Sequence, residues 1–180
     1  RLQGDWSSDV CSSDLDGLKA LTHNGDGVAR VSVRLSEIIE NTVRLCEPLL
    51  KKSDVRLKLD VPQDLHVTTH PGQVEQVLMN LLSNALHATR HLDDRWISIH
   101  CESIGAEMVR LHVTDAGRLT DSKVIARMLD PFFTTKEVGE GTGLGLSVSR
   151  ALMDSLGGAL TFDGDKKNTT FCIDIPTETA

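Results

Sequence analysis

The chain has 180 residues, 39% of them hydrophobic, which suits one domain with an ordinary core and excludes a disordered composition. A formal charge of −7 and only 3% aromatic residues argue against nucleic acid as a partner, since there is neither a basic footprint nor a supply of rings for base stacking. No apolar run approaches the roughly 18 residues that span a bilayer. With no signal-peptide pattern at the start, a cytoplasmic location without direct membrane contact is expected, although a parent protein could be anchored in the inner membrane.

Residues 1–15 have neither helical nor strand periodicity. Asp5 to Leu15 is, residue for residue, one reading frame of a common sequencing adapter, so 1–15 is expected to be a disordered assembly artefact. "DGLKALTH" before Asn24-Gly25 then reads as the last turns of a helix. From Val31 the pattern is orderly. "VSVRL" alternates like a strand, and Ser36 is expected to cap a helix running to Lys52. "VRLKLDV" and "LHVTT" read as strands on either side of a turn at Pro62–Asp64. Pro71 suits the first turn of a second helix, which continues to His91. "WISIHCES" and "MVRLHVTD" are alternating strands joined near Gly105. The glycine-rich "VGEGTGLGL" precedes a third helix, "SVSRALMDSL", stopped by Gly157-Gly158, and "ALTFD" and "TTFCIDI" form a closing hairpin. This order predicts an α+β fold, a two-layer sandwich with a mixed sheet covered on one face by helices. The four cysteines, Cys11, Cys46, Cys101 and Cys172, lie far apart with no CxxC, and read as reduced, mostly buried thiols.

Three places carry chemistry. On the second helix Val74, Val77, Leu78, Leu81, Leu82 and Ala85 form an apolar face, and Asn80, Asn84, His87 and His91 form a separate polar stripe. Two amides one turn apart can offer oxygen to one hard cation such as Mg²⁺, or be plain surface amides. At the end of the fifth strand Val109, Leu111, Val113 and Asp115 share a face, so Asp115 is aimed inward. A buried carboxylate needs a donor: a ligand amino group such as that of adenine, or the turn that follows. Gly117 would let a flat base approach. Gly139, Gly141, Gly143 and Gly145 alternate and run into a helix N-terminus, a place for a phosphate, although the loop is not a Walker A motif.

Together these pieces resemble the GHKL (Bergerat) ATP-binding fold, over roughly Val31 to Pro176. "QVLMNLLSNALHA" resembles its N box, "DAG" its G1 box, "DPFFTTK" its F box, "GEGTGLGLSVSR" its G2 box, and "NTTF" its small last motif. The F box directly before the G2 box is similar to sensor histidine kinases. ATPases of the gyrase or MutL kind carry a glutamate four residues before the position of Asn84, and here that residue is Asn80.

The resemblance implies ATP and Mg²⁺ as ligands, with Mg²⁺ held by Asn84 and assisted by Asn80. It implies that Asp115 bonds the adenine amino group, Gly117 lines the base, and Thr170 reaches it through water. Gly141, Thr142, Gly143, Leu144, Gly145 and Leu146 would form the lid and phosphate cradle, with Phe132 and Phe133 anchoring it. Lys136, His87 and Arg90 are the candidate cations. The implied reaction is transfer of the γ-phosphoryl group to a histidine on a helical dimerisation domain, with a response regulator receiver domain as the further partner.

None of the seven histidines (His23, His66, His70, His87, His91, His100 and His112) sits in a phosphoacceptor setting. The expected organisation is therefore 16–30 as the end of the dimerisation domain and its linker, 31–176 as the catalytic domain and 177–180 as a tail, inactive as a kinase alone. The G1 box departs from the pattern: Asp115-Ala116-Gly117-Arg118-Leu119 lacks the second glycine. The alternative reading is accordingly a degenerate, non-catalytic nucleotide-sensing module.

Overall fold

The computed structural model describes residues 30–105, 107–137 and 141–177. The readings of 1–29, of Gly139 and of the last three residues lie outside the described residues. Two units are distinguished: 30–120 with 149–177, and 121–148. In chain order the elements are β1 (Val31–Arg34), α1 (Leu35–Lys52), β2 (Arg56–Asp60), β3 (His66–Thr69), α2 (Pro71–Thr89), β4 (Trp96–Ile104) and β5 (Met108–Asp115). They continue with α3 (Ser122–Arg127), α4 (Gly145–Ser155), β6 (Ala159–Phe162) and β7 (Thr170–Pro176). The short α3 and the first turn of α4 belong to the smaller unit.

In the larger unit, the sequence alternation becomes a five-stranded sheet of order β2-β4-β5-β7-β6. β4 and β5 pair antiparallel through a turn where Gly105 has φ +65°, the left-handed conformation that glycine adopts without cost. Ile97, Ile99, Val109, Leu111, Val113, Ile173 and Ile175 are all buried on one face, against the helices. The α2 residues Val74, Val77, Leu78, Leu81, Leu82 and Ala85 are buried as their spacing predicts. Burying six such side chains, at about 1.5–3 kcal/mol for each large one, is what seats α2 on the sheet.

The other face of the sheet carries the intervening residues. Register places Asp60, His100, His112 and Cys172 in one row across β2, β4, β5 and β7, and Thr161 on β6 continues it. Cys46, Cys101 and Cys172 are free and buried, as expected.

Two expectations are corrected. Ser36 does not cap α1. The helix begins at Leu35 directly after β1, and the Leu35 N–H is satisfied by the Leu65 carbonyl at 2.8 Å, so no side-chain cap forms. Ser36 lies inside the first turn and donates to the Gln63 carbonyl at 3.2 Å. The second helix stops at Thr89, which leaves His91 beyond the helical stripe. The strands flanking Pro62–Asp64 form but do not pair with each other. β3 pairs antiparallel with β1, and β2 pairs parallel with β4. Among the described residues no helix is long and apolar enough to cross a membrane.

Candidate functional site

On α2 of the larger unit, Asn80, Asn84 and His87 are half-buried, one helical turn after another. The Asn80 Nδ2 donates to Ser149 Oγ at 3.0 Å, and Ser149 is itself fully buried, so the Asn80 amide is held in one orientation. Arg90 is exposed just past the helix and donates from Nε to His91 Nε2 at 2.9 Å.

The carboxylate of Asp115 is only 4% exposed at the inward end of β5. Its Oδ1 accepts the Gly117 N–H at 2.7 Å, so the inward carboxylate and the turn cap are both present in one residue. Burial pushes the Asp115 carboxyl up to about 6, against the opposing effect of the Gly117 hydrogen bond. A Cβ on Gly117 would stand 2.7 Å from that Oδ1 and 3.8 Å from Ala88, the residue after His87. The loop after β5 and the C-terminal half of α2 are therefore neighbours, and it is the Asp115 carboxylate, not the helix, that leaves no room for a side chain at Gly117.

The stretch just before β7 holds this loop, a role the sequence reading missed. Asp115 N–H donates to the Thr169 carbonyl at 3.0 Å, and Thr169 N–H donates to the Gly117 carbonyl at 2.9 Å. Thr169 Oγ1 accepts the Leu119 N–H at 3.0 Å, and Asn168 Nδ2 donates to the Ala116 carbonyl at 3.0 Å. Among the described residues only Asp54 and Phe132 are non-glycine with positive φ, so Leu119 sits in ordinary backbone where a glycine was expected. Thr170 takes a different place. Its hydroxyl shares a hydrogen bond with Thr114 Oγ1 at 3.0 Å and donates to the Asn168 carbonyl at 3.1 Å. Thr114 alternates with Asp115 along β5, so Thr170 faces away from the carboxylate, and the hydroxyl on the loop is that of Thr169. The only advance signal was the doublet "TT", which does not say which threonine faces in.

The smaller unit holds the glycine segment. Gly143 has φ +69°, and a Cβ there would meet the Phe132 carbonyl carbon at 2.5 Å and the Phe133 oxygen at 2.7 Å. Gly141 lies against Lys136, whose Cδ would be 2.8 Å from an added Cβ. Lys136 is half-buried, and its N–H donates to Thr134 Oγ1 at 3.1 Å. Thr142 Oγ1 accepts the Leu144 N–H at 3.4 Å, and α4 opens at Gly145 with Leu146 half-buried in its first turn. A helix start presents backbone N–H groups and the positive end of its dipole to an anion. The Phe132 ring is 75% exposed on a residue with φ +65°, so its backbone packs on Gly143 while its ring does not anchor the loop. Phe133 carries the Arg127 guanidinium 4.7 Å above its ring.

The family model described as "Histidine kinase-, DNA gyrase B-, and HSP90-like ATPase" matches residues 69–179. Two-component sensor PprA of Pseudomonas aeruginosa is 36% identical over 134 residues, which are 71% of this chain and 14% of that protein. Sensor kinase CckA of Brucella abortus is 35% identical over 158 residues, 79% of this chain and 16% of that protein. The chain thus spans about a sixth of the length of these curated relatives. Among solved structures, a nucleotide-free catalytic domain of histidine kinase ThkA superposes with a TM-score of 0.74 at 30% identity. That match covers 83% of this chain and 97% of the solved one.

Proposed function

The chain belongs to the histidine kinase-, DNA gyrase B- and HSP90-like ATPase family, as an ATP-binding catalytic domain of the sensor histidine kinase kind, and from that premise we propose that residues 31–176 present Mg²⁺-ATP for phosphoryl transfer to a protein histidine. The single observation that carries the reading is the buried Asp115 carboxylate, held by the Gly117 N–H where the loop passes α2. An inward carboxylate with raised proton affinity matches a flat ligand that offers an amino group, as adenine does.

In this reading Asp115 accepts the adenine amino group and Gly117 lines the base. Thr169, in place of Thr170, is the hydroxyl beside it. Gly141 to Leu146 bind phosphate through backbone N–H groups, with Lys136 and His87 as the proposed cations. Asn84 and Asn80 hold Mg²⁺: their amide oxygens are the hard, neutral donors it takes, and the Ser149 bond already orients Asn80. Bound there, Mg²⁺ would neutralise charge on the phosphate oxygens. The residues of this chain then position the γ-phosphoryl group and stabilise spreading charge, and the nucleophile is supplied by a helical dimerisation and phosphoacceptor domain. A response regulator receiver domain is the proposed next recipient. A non-catalytic module with a decayed G1 box is disfavoured, because the bonds from Thr169 and Asn168 keep the altered loop closed around Asp115.

Calorimetric titration of the chain with a non-hydrolysable ATP analogue, with and without Mg²⁺, tests this. Mg²⁺-assisted binding, lost in Asn84→Ala and in Asp115→Asn, is expected. No binding at millimolar analogue by the folded protein would sink the proposal.

A further inference from the structure

The sheet face turned away from the helices carries a set of donors for which the nucleotide reading has no use. His112 on β5 and Cys172 on β7 are register partners, and Asp163 follows the end of β6 next to them. One ligand atom from each of the three lies within 4.8 Å of the others. We propose that His112 Nδ1, Cys172 Sγ and a carboxylate oxygen of Asp163 bind one divalent cation of the zinc class.

Geometry and proton placement both support the site. The His112 Nε2 lies 2.8 Å from Glu102 Oε1. A carboxylate can only accept, so Nε2 carries the hydrogen, and in the neutral ring Nδ1 keeps its lone pair. That Nδ1 faces Cys172 Sγ at 3.4 Å. A tetrahedral ion, with bonds of about 2.3 Å to sulfur and 2.0 Å to nitrogen, separates the two by about 3.5 Å. Glu102 thus stands where a carboxylate orients a metal-binding histidine from behind.

The third ligand comes from the rim. Asp163 is half-exposed, and its carboxylate accepts the Asp165 N–H at 3.1 Å, which fixes the side chain at the mouth of the site. A carboxylate has two oxygens, so that bond and a metal bond are compatible. The buried Cys172 and His112 form the floor. Water takes the fourth position, as in three-ligand zinc sites.

The charge arithmetic is simple. Cys172 gives up its thiol proton to solvent as the sulfur–metal bond forms, and neutral His112 gives none. The cation supplies the charge that a buried thiolate otherwise lacks. Nitrogen and sulfur donors select zinc-class ions over Mg²⁺. The site is therefore separate in chemistry as well as position from Asn80 and Asn84.

The test is titration of the reduced, metal-stripped chain with Co²⁺ in excess Mg²⁺, followed by Zn²⁺. A thiolate-to-cobalt charge-transfer band should rise to one equivalent and be bleached by one equivalent of Zn²⁺. Cys172→Ser should lose the band. Glu102→Ala should weaken Zn²⁺ binding roughly 10–100-fold, since it removes only the orienting carboxylate. Asp163→Asn, at a rim position where folding is not at stake, should weaken binding with an unchanged circular dichroism spectrum. No band in the parent chain, a band retained in Cys172→Ser, or undiminished affinity in Asp163→Asn would each overturn the proposal. None of these readouts depends on nucleotide binding.

Discussion

Asp115 shows how one residue carries both a cost and a use. Its carboxyl is buried, with a protonation midpoint near 6, against about 3.9 for an unfolded aspartate. Between those values the native state holds a proton that the unfolded chain has lost, so stability falls as pH rises from about 4 to about 6 and is level above. Asp115→Asn keeps the acceptor for the Gly117 N–H and removes the charge. The variant should therefore be more stable by on the order of 3 kcal/mol at pH 8. Its advantage should shrink as pH is lowered through 6, which urea unfolding across that range would measure. An equal or lower stability at pH 8 would mean that the carboxylate is better solvated than its burial indicates. The inward aim of Asp115 was legible because period-two alternation ran unbroken from Val109. Asn168 and Thr169 were not legible, because their partners, Ala116 and Leu119, lie about fifty residues away and a polar turn has no periodicity.

At the scale of elements, local pattern and distant pairing part company. α2 could be read from its apolar spacing and its Pro71 start, and the β4–β5 hairpin from alternation around Gly105. The partners of β2 and β3 could not, since the parallel β2–β4 pairing joins segments separated by a whole helix. The β6–β7 hairpin shows what a glycine secures at this scale. A Cβ on Gly158 would collide with the Asp174 carbonyl oxygen and come within 2.9 Å of Met153 Cε. Met153 could shift, but the carbonyl belongs to a paired strand and cannot move without the ladder. Gly158→Ala should cost about 1–3 kcal/mol of stability, the usual range for overpacking. Chemical denaturation would read this as a lower midpoint with an unchanged slope. A wild-type midpoint would show that the hairpin can open at Gly158 without strain.

Across the larger unit, the sheet separates two kinds of chemistry. One face meets the helices and ends at Asp115, while the other carries the row from Asp60 to Cys172. The proton on Asp115 links the nucleotide reading to a measurable property of the whole chain. A carboxylate accepts the adenine amino hydrogen and a neutral acid competes for it with its own hydrogen, so binding should select the ionised form. With a midpoint near 6 in the free protein, affinity for an ATP analogue should be level above pH 7 and weaken below 6, approaching tenfold per pH unit. Phosphate groups titrate in the same range, so inorganic triphosphate is the control: it shares their protonation and lacks the base. The steep loss should appear for the nucleotide after the triphosphate profile is subtracted. If the two profiles coincide, Asp115 does not meet the base, and the raised proton affinity of its carboxyl is a cost of folding alone.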